Sequence, residues 1–161
     1  MKRLISVILL LLLLLCGCAG ETTVKPVTKG ITFQCEAVYY NESYECQCDV
    51  QQNGDMSVRF TWPADIEGLE FSFSKNGVKA HFKELEYIND KVVFENTVAS
   101  LIYDVLSQED VTVLEQDDVF YIEGVNKDFE YKLQLGATGL PIKITTTPDI
   151  AQIEFKKVKI K

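Results

Sequence analysis

Apolar and polar residues alternate between positions 31 and 155, and this pattern narrows the possible folds more than any other. Ile31, Phe33 and Cys35 share one face of an extended segment, and the same period of two returns in later segments. Successive side chains of a β-strand point to opposite faces, so this period places the apolar residues on one side. The sequence therefore predicts consecutive antiparallel strands that form a sheet with one apolar face.

Short turn sequences divide the alternating segments into hairpins. Turns are predicted at 41–42, 76–77, 116–117, 126–127 and 148–149, with longer loops at 53–55 and 136–139. Asn76-Gly77 is the strongest of these signals, because Asn-Gly favours a two-residue hairpin turn. One consistent apolar face then runs through the strands between 111 and 155.

The predicted turns fix an expected register. The expected opposite pairs are Cys35 with Cys48, Ala37 with Cys46, Val50 with Val58, Phe73 with Ala80, Phe71 with Phe82, Val113 with Phe120, Leu133 with Ile142, and Ile144 with Ile153. The alternation changes parity after Phe155, which predicts a β-bulge near Lys156-Lys157.

One segment between the two groups of strands has helical spacing instead. Its apolar residues are Phe94, Val98, Leu101, Ile102 and Val105. They fall on one side of a helix predicted over 95–106, with Asn96 as its N-cap. Residues 83–93 fit a strand end, a short helix or a loop. The fold class is therefore mainly β (α+β), a large antiparallel up-and-down sheet with a helix covering its apolar face.

The N-terminus has the pattern of a secretion leader. Lys2-Arg3 is a short basic region, and Ser6 is the one polar residue between positions 4 and 16. A membrane-spanning helix needs about 20 apolar residues, so this shorter stretch is typical of a signal peptide.

The run Leu15-Cys16-Gly17-Cys18 resembles the lipobox of bacterial lipoproteins. This resemblance implies that residues 1–17 are removed as a lipoprotein signal peptide and that Cys18 carries the lipid. Residues 18–29 are then a lipidated, flexible tether, and residues 30–161 form a single domain. Two or more acyl chains anchor a protein stably. The expected location is extracytoplasmic, on the cell membrane or the outer membrane.

The charge balance limits the classes of partner. The chain has 16 Lys and Arg against 24 Asp and Glu, a net charge of −8, and loss of Lys2 and Arg3 with the leader makes it −10. Such a surface disfavours nucleic acid and offers no polybasic attraction to anionic lipid. Membrane attachment is therefore expected to depend on the lipid at Cys18.

The order of these elements resembles a known family. A lipidated leader, an up-and-down sheet, a central helical insertion and further strands end with residues 139–144 (GLPIKI) and 153–158 (IEFKKV). This order is similar to the LolA/LolB-like superfamily of lipoprotein carriers and receptors. The resemblance implies a half-barrel sheet over residues 28–160 whose hollow holds acyl chains. Similar half-barrel lipoproteins of Gram-positive cells, including spore-germination lipoproteins, act through protein partners instead.

A possible apolar pocket follows from the resemblance and the apolar face. Its candidate residues are Phe60, Trp62, Phe71, Phe73, Phe82, Leu101, Ile102, Phe120, Tyr131 and Phe155. The same residues also fit a filled core between sheet and helix, because a ligand pocket and a core have similar linings. The expected function is non-enzymatic binding of a lipid, an acyl chain or a lipoprotein. The alternative is an interaction scaffold or regulator of another envelope protein, with no ligand.

Three cysteines, Cys35, Cys46 and Cys48, remain after lipidation of Cys18. A compartment outside the cytoplasm favours a disulfide. The predicted register makes Cys35 and Cys48 the candidate pair, with Cys46 buried or linking two chains. A Cys35–Cys46 disulfide, three reduced thiols and a Cys-x-Cys metal site are the alternatives.

The sequence offers little for catalysis. His81 is the one histidine, and its alternation places it on the polar face of a strand. Without a second histidine or a serine in a nucleophile-elbow sequence, a hydrolytic triad is not visible. Asp117-Asp118 is explained by turn chemistry. We expect no enzyme activity, no cofactor and no metal.

Overall fold

A computed structural model describes residues 24–89, 97–126 and 129–161. Within these ranges, eleven strands form one antiparallel, curved and unclosed sheet. Its strands in chain order are β1 Ile31–Tyr39, β2 Glu42–Val50, β3 Met56–Trp62, β4 Glu70–Ser74, β5 Gly77–Phe82, β6 Leu85–Asn89, β7 Leu114–Gln116, β8 Val119–Asn126, β9 Phe129–Leu135, β10 Pro141–Thr147 and β11 Ala151–Ile160.

The sheet has two up-and-down halves. Within β1 to β6, and again within β7 to β11, strands that are consecutive in the chain pair with each other. The first and last strands join the halves, because β1 pairs antiparallel with β11. The mainly β, up-and-down prediction is thus confirmed, and β6 and β7 form the two edges.

The predicted β1–β2 register is wrong by two residues. The turn consists of Tyr40 and Asn41, whose φ angles of 48° and 66° are those of a type I′ turn. Cys35 therefore pairs with Cys46, and Ala37 with Tyr44. Asn tolerates a positive φ better than most residues, so Asn41 occupies the second turn position rather than the first.

The β4–β5 turn also lies one residue earlier than predicted. Lys75 and Asn76 form it, and Gly77 opens β5, so Phe73 pairs with Val78 and Phe71 with Ala80. The Ser74 hydroxyl accepts a hydrogen bond from the Asn76 N–H at 3.2 Å and donates one to the Gly77 carbonyl at 3.3 Å. These two bonds hold the turn in its earlier position.

Other registers shift for similar reasons. The β2–β3 loop covers 51–55 and pairs Val50 with Met56, because the Gln51 N–H donates to the Asp55 carbonyl at 2.8 Å. Residues 117–118 form the β7–β8 turn, and β7 begins only at Leu114, so Val113 does not pair with Phe120 as predicted, and Glu115 does. On β8 and β9, Ile122 faces Leu133.

The C-terminal register is partly as predicted. Ile144 faces Ile153, which confirms the turn at 148–149. The register of the β1–β11 ladder also shifts at Lys157, which has a φ of 50°. This shift confirms the predicted bulge. A further irregularity beside Pro141 pairs Leu133 with Ile144 and leaves Ile142 43% exposed, so Ile142 was wrongly predicted to face inward.

The predicted helix is present as α1, Val98–Leu106. Thr97 caps it, with the Thr97 hydroxyl accepting from the Ser100 N–H and the Ser100 hydroxyl accepting from the Thr97 N–H. The predicted N-cap, Asn96, lies outside the described residues. Both Ala99 and Ile102 are fully buried, so α1 is enclosed on most of its circumference. Of residues 83–93, the described part forms the end of the β5–β6 hairpin.

Among the described residues, no helix combines the length and the apolar character that crossing a membrane requires.

Candidate functional site: the hollow between sheet and helix

Most of the predicted pocket residues lie together on the inner face of the sheet or on α1. Those that are buried there are Phe60, Phe71, Phe73, Leu101, Ile102, Tyr131 and Phe155. Phe82 on β5 and Phe120 on β8 are half-buried towards the outer strands. The alternation of each strand brings these side chains to one side, so the sequence pattern predicted the shared inner face without fixing the register of the strands.

Aromatic rings form a continuous series across the first half of this face. The Phe60 ring lies 5.9 Å from Tyr44 and 6.1 Å from Phe71, and Phe71 lies 6.2 Å from Phe73. The Phe73 ring then stacks on Tyr103 of α1 at 4.6 Å, with an interplanar angle of 12°. This series connects three neighbouring strands to the helix, and each such contact adds to the burial of apolar area.

A polar contact also holds the helix to the sheet. The Asn126 amide donates a hydrogen bond to Asp104 of α1 at 2.8 Å. Burial raises the pKa of Tyr103 and of Tyr131, and the Asp104 carboxylate adds to both effects. An apolar lining with a few polar groups is compatible with a ligand pocket as well as with a filled core.

Trp62 is a correction to the predicted pocket, because it lies on the outer face and is 51% exposed. The β2–β3 ladder shifts between two adjacent pairs, so that Cys46 faces Phe60 while Glu45 faces Trp62. This bulge turns the last residue of β3 to the side opposite Phe60. Pro63 follows at once, and a proline cannot continue the ladder as a donor. That proline is the one sequence signal for an irregular strand end.

The three cysteines lie close together on the inner face of β1 and β2. Cys35 faces Cys46 across the ladder, and Cys48 is two residues further along β2, opposite Phe33. All three are buried thiols. Hydrogen bonds from Cys46 and Cys48 lower the pKa of Cys35. The hydrogen bond to Cys35 raises the pKa of Cys46, and burial raises that of Cys48. The expected Cys35–Cys48 disulfide stays a prediction, with Cys46 now the residue directly opposite Cys35.

The remaining chemical candidates are dispersed. His81 is exposed on the outer face, as the alternation predicted, and faces Glu70 and Glu86 on the neighbouring strands. Asp117 and Asp118 both have positive φ and form the β7–β8 turn. Within the described ranges, no group of three histidine, cysteine or acidic side chains has a metal-binding arrangement.

Part of the predicted tether contacts the domain. The Val27 N–H donates to the Gly139 carbonyl in the β9–β10 loop at 2.9 Å, and Val27 packs against the core. The Lys29 ammonium forms an ion pair with Glu109 at 2.9 Å. Gly139 has a φ of 79°, and a Cβ there would meet the Lys25 carbonyl oxygen at 1.9 Å, so a glycine is required for this approach. Residues 24–29 therefore lie along one end of the sheet.

These features together define an unclosed antiparallel sheet with a helix covering its concave face, a fold similar to the one that the resemblance to the LolA/LolB-like superfamily implied. No protein-family model matches the chain, and no curated protein matches it.

Two solved structures are similar to the chain and support this fold. An uncharacterized conserved protein from Thermus thermophilus is 13% identical, with a TM-score of 0.56 over 84% of this chain and 80% of that chain. A LolA superfamily protein from Nitrosomonas europaea is 9% identical, with a TM-score of 0.52 over 86% of this chain and 89% of that chain. At such low identities the likeness concerns the fold alone.

Proposed function

We propose that this protein is a non-enzymatic envelope lipoprotein, anchored through lipid on Cys18, whose half-barrel binds an acyl chain or lipid. The observation that carries the proposal is the continuous apolar inner face, covered by a helix that is not part of the sheet. A helix over an apolar face can move without breaking the strand ladders, so a ligand can replace it there.

The anchor part of the proposal rests on the sequence Leu15-Cys16-Gly17-Cys18. Metabolic labelling with a palmitate analogue tests it. We expect the wild type and Cys16→Ser to be labelled and Cys18→Ser to remain unlabelled. Equal labelling of Cys18→Ser would contradict the anchor, and loss of label only in Cys16→Ser would move the site.

The binding part depends on how α1 is held. Its described attachments include the Tyr103–Phe73 ring stack and the Asp104–Asn126 hydrogen bond. Displacing α1 would expose its own buried residues Leu101 and Ile102 together with the aromatic face beneath. An acyl chain in the hollow restores the burial of the sheet face, which offsets much of the unfavourable exposure.

A fluorescent fatty acid tests this mechanism. We expect saturable binding to the full-length protein, and faster uptake by Tyr103→Ala, because this variant loses the ring stack that holds α1 closed. Tyr44→Ala is the matched control, since it removes a tyrosine ring that contacts Phe60 within the sheet. Absence of saturable binding in all three proteins would contradict lipid binding.

The second candidate function is an interaction scaffold that uses the fold without a ligand. It is favoured because the chain's own residues already cover much of the inner face. Val58, Leu133 and Ile153 on this face are fully buried. A stoichiometric protein partner in an affinity purification, with no lipid in the solvent extract, would support this candidate over the first.

A further inference from the structure

We infer that a groove on the outer face, beside Trp62, docks a lysine- or arginine-bearing segment of a partner protein. The groove has a volume of about 320 Å³. Trp62 and Val38 supply its apolar surface, and they are 51% and 46% exposed. Large apolar side chains exposed together on the outer face of a sheet often mark an interaction surface. The inference does not depend on acyl-chain binding in the hollow.

The charges around the groove decide the kind of partner. Glu45, Glu36 and Glu154 lie directly opposite one another on β2, β1 and β11, and Trp62 extends the same row on β3. All three glutamates line the groove. Like charges directly opposite each other on neighbouring strands are destabilising. A row of three therefore leaves an unfavourable potential that a cation would relieve.

The protein's own lysines relieve only part of this potential. Lys143 on β10 lies directly opposite Glu154, at the end of the row away from Trp62. The Lys156 ammonium lies 2.8 Å from Glu154 and 3.8 Å from Glu36. Contact with Lys156 lowers the pKa of Glu154, and Glu154 in turn raises the pKa of Lys156. In the part of the chain that the structure describes, Glu45 has no ion-pair partner, and it lies directly opposite Trp62.

The pairing of Glu45 with Trp62 suits a basic side chain. An ammonium or guanidinium group is attracted to the face of an indole ring, and a carboxylate beside the ring adds a charge-assisted hydrogen bond. The methylene stem of lysine or arginine can cover Val38, because such stems pack on apolar surface while the charged group stays in water. A small apolar surface with an acidic border therefore matches a basic peptide segment.

The position of the groove favours a protein over a membrane headgroup. Residues 24–29 lie beside the 136–139 loop, at the end of the sheet where β1 and β10 begin. Trp62 lies in the row of Glu45 and Glu36, five residues further along β1 than Ile31. Five residues of a strand span about 17 Å. A lipid on Cys18 would bring the first end to the membrane and leave the groove at about this distance from that end.

The chain offers a direct reporter for this groove, because Trp62 is its one tryptophan. The probe is a tryptophan-free peptide of alternating lysine and leucine, titrated into the full-length protein while the indole emission is recorded. We expect a saturable change that weakens at higher ionic strength, and a dissociation constant raised about fivefold or more in Glu45→Gln. Glu86→Gln, an exposed carboxylate on β6, is the matched control and should bind as the wild type does.

Several results would overturn the inference. One is an emission that does not change saturably with the peptide, and another is equal affinity in Glu45→Gln and the wild type. A response to phosphatidylcholine vesicles but not to the peptide would assign the groove to a lipid headgroup instead. An emission that changes with protein concentration alone would assign it to a second copy of the chain.

Discussion

Gly124 and Tyr131 face each other on β8 and β9, and the tyrosine ring occupies the space where a side chain of residue 124 would lie. A Cβ at Gly124 would come within 2.3 Å of the Tyr131 ring and hydroxyl. Tyr131 is buried, so its ring cannot move aside without losing contact with the core. The glycine thus makes room for one of the aromatic residues that line the hollow.

Gly124→Ala should therefore reduce the free energy of unfolding, by about 1–3 kcal/mol as for other overpacked sites. Denaturant titration followed by circular dichroism measures the change. Gly136→Ala is the control, because its Cβ would meet Ile142 Cδ1 at an ordinary 3.6 Å. Equal effects of the two substitutions would show that Tyr131 does not require the glycine.

A second prediction about individual residues concerns the cysteine cluster. Cys35 and Cys46 are directly opposite residues of an antiparallel pair. Opposite residues in such pairs have Cα atoms about 4.5–5.5 Å apart, which is compatible with a disulfide. In protein exported to an oxidising compartment, we expect these two thiols to lose two protons and two electrons to a disulfide-bearing oxidant by thiol–disulfide exchange. Cys35 has the lowered pKa and would attack first.

Mapping of peptides from unreduced protein by mass spectrometry checks this pairing. We expect a Cys35–Cys46 link that persists in Cys48→Ser and disappears in Cys46→Ser. A Cys35–Cys48 link would restore the pairing expected from the sequence, and three free thiols would exclude both.

Among the secondary-structure elements, α1 depends on its N-terminal cap. The Thr97 hydroxyl accepts from the Ser100 N–H at 3.0 Å, and the Ser100 hydroxyl accepts from the Thr97 N–H at 3.1 Å. Thr97→Ala removes the first of these bonds and should destabilise the protein by about 1 kcal/mol. Thr97→Ser keeps the hydroxyl and should restore most of the loss. Thermal unfolding of the three proteins distinguishes the cap from a packing effect, for which Ser and Ala would behave alike.

The strands also show why the sequence predicted the face on which each side chain lies better than it predicted which residues pair across neighbouring strands. The period of two is a property of each strand, so Phe71 and Phe73 could be placed on the inner face from the sequence alone. The register depends on one or two turn residues, and the Ser74 hydrogen bonds moved the β4–β5 turn by one position. Such a shift changes the pairing by two residues and therefore keeps every side chain on its face.

Irregularities inside strands were less predictable for a related reason. A bulge reverses which residues of a strand point inward and which point outward. The prediction of faces depends on this alternation. The bulge at Lys157 could be predicted because apolar residues continue beyond it, as Val158 and Ile160. The bulge before Trp62 lies at a strand end, where no later apolar residue reveals the change. The outer-face groove was therefore missed, whereas the apolar inner face was predicted.

In the molecule as a whole, the N-terminal segment relates the domain to its proposed anchor. The docked residues 24–29 leave positions 19–23 between Cys18 and the domain, a span of at most about 20 Å. The predicted tether of residues 18–29 is thus shortened at its C-terminal end. A domain held this closely suits a stationary receptor or scaffold better than a carrier that crosses a compartment.

The proposed function requires that this anchored half-barrel hold an acyl chain or lipid in the hollow under α1. Native mass spectrometry of the lipoprotein, purified from membranes in detergent, would detect such a ligand. We expect one non-covalent lipid or fatty-acid adduct that leaves on collisional activation, while the covalent lipid on Cys18 remains. The mass of the anchored chain alone, unchanged when a fatty acid is added, would contradict the proposal.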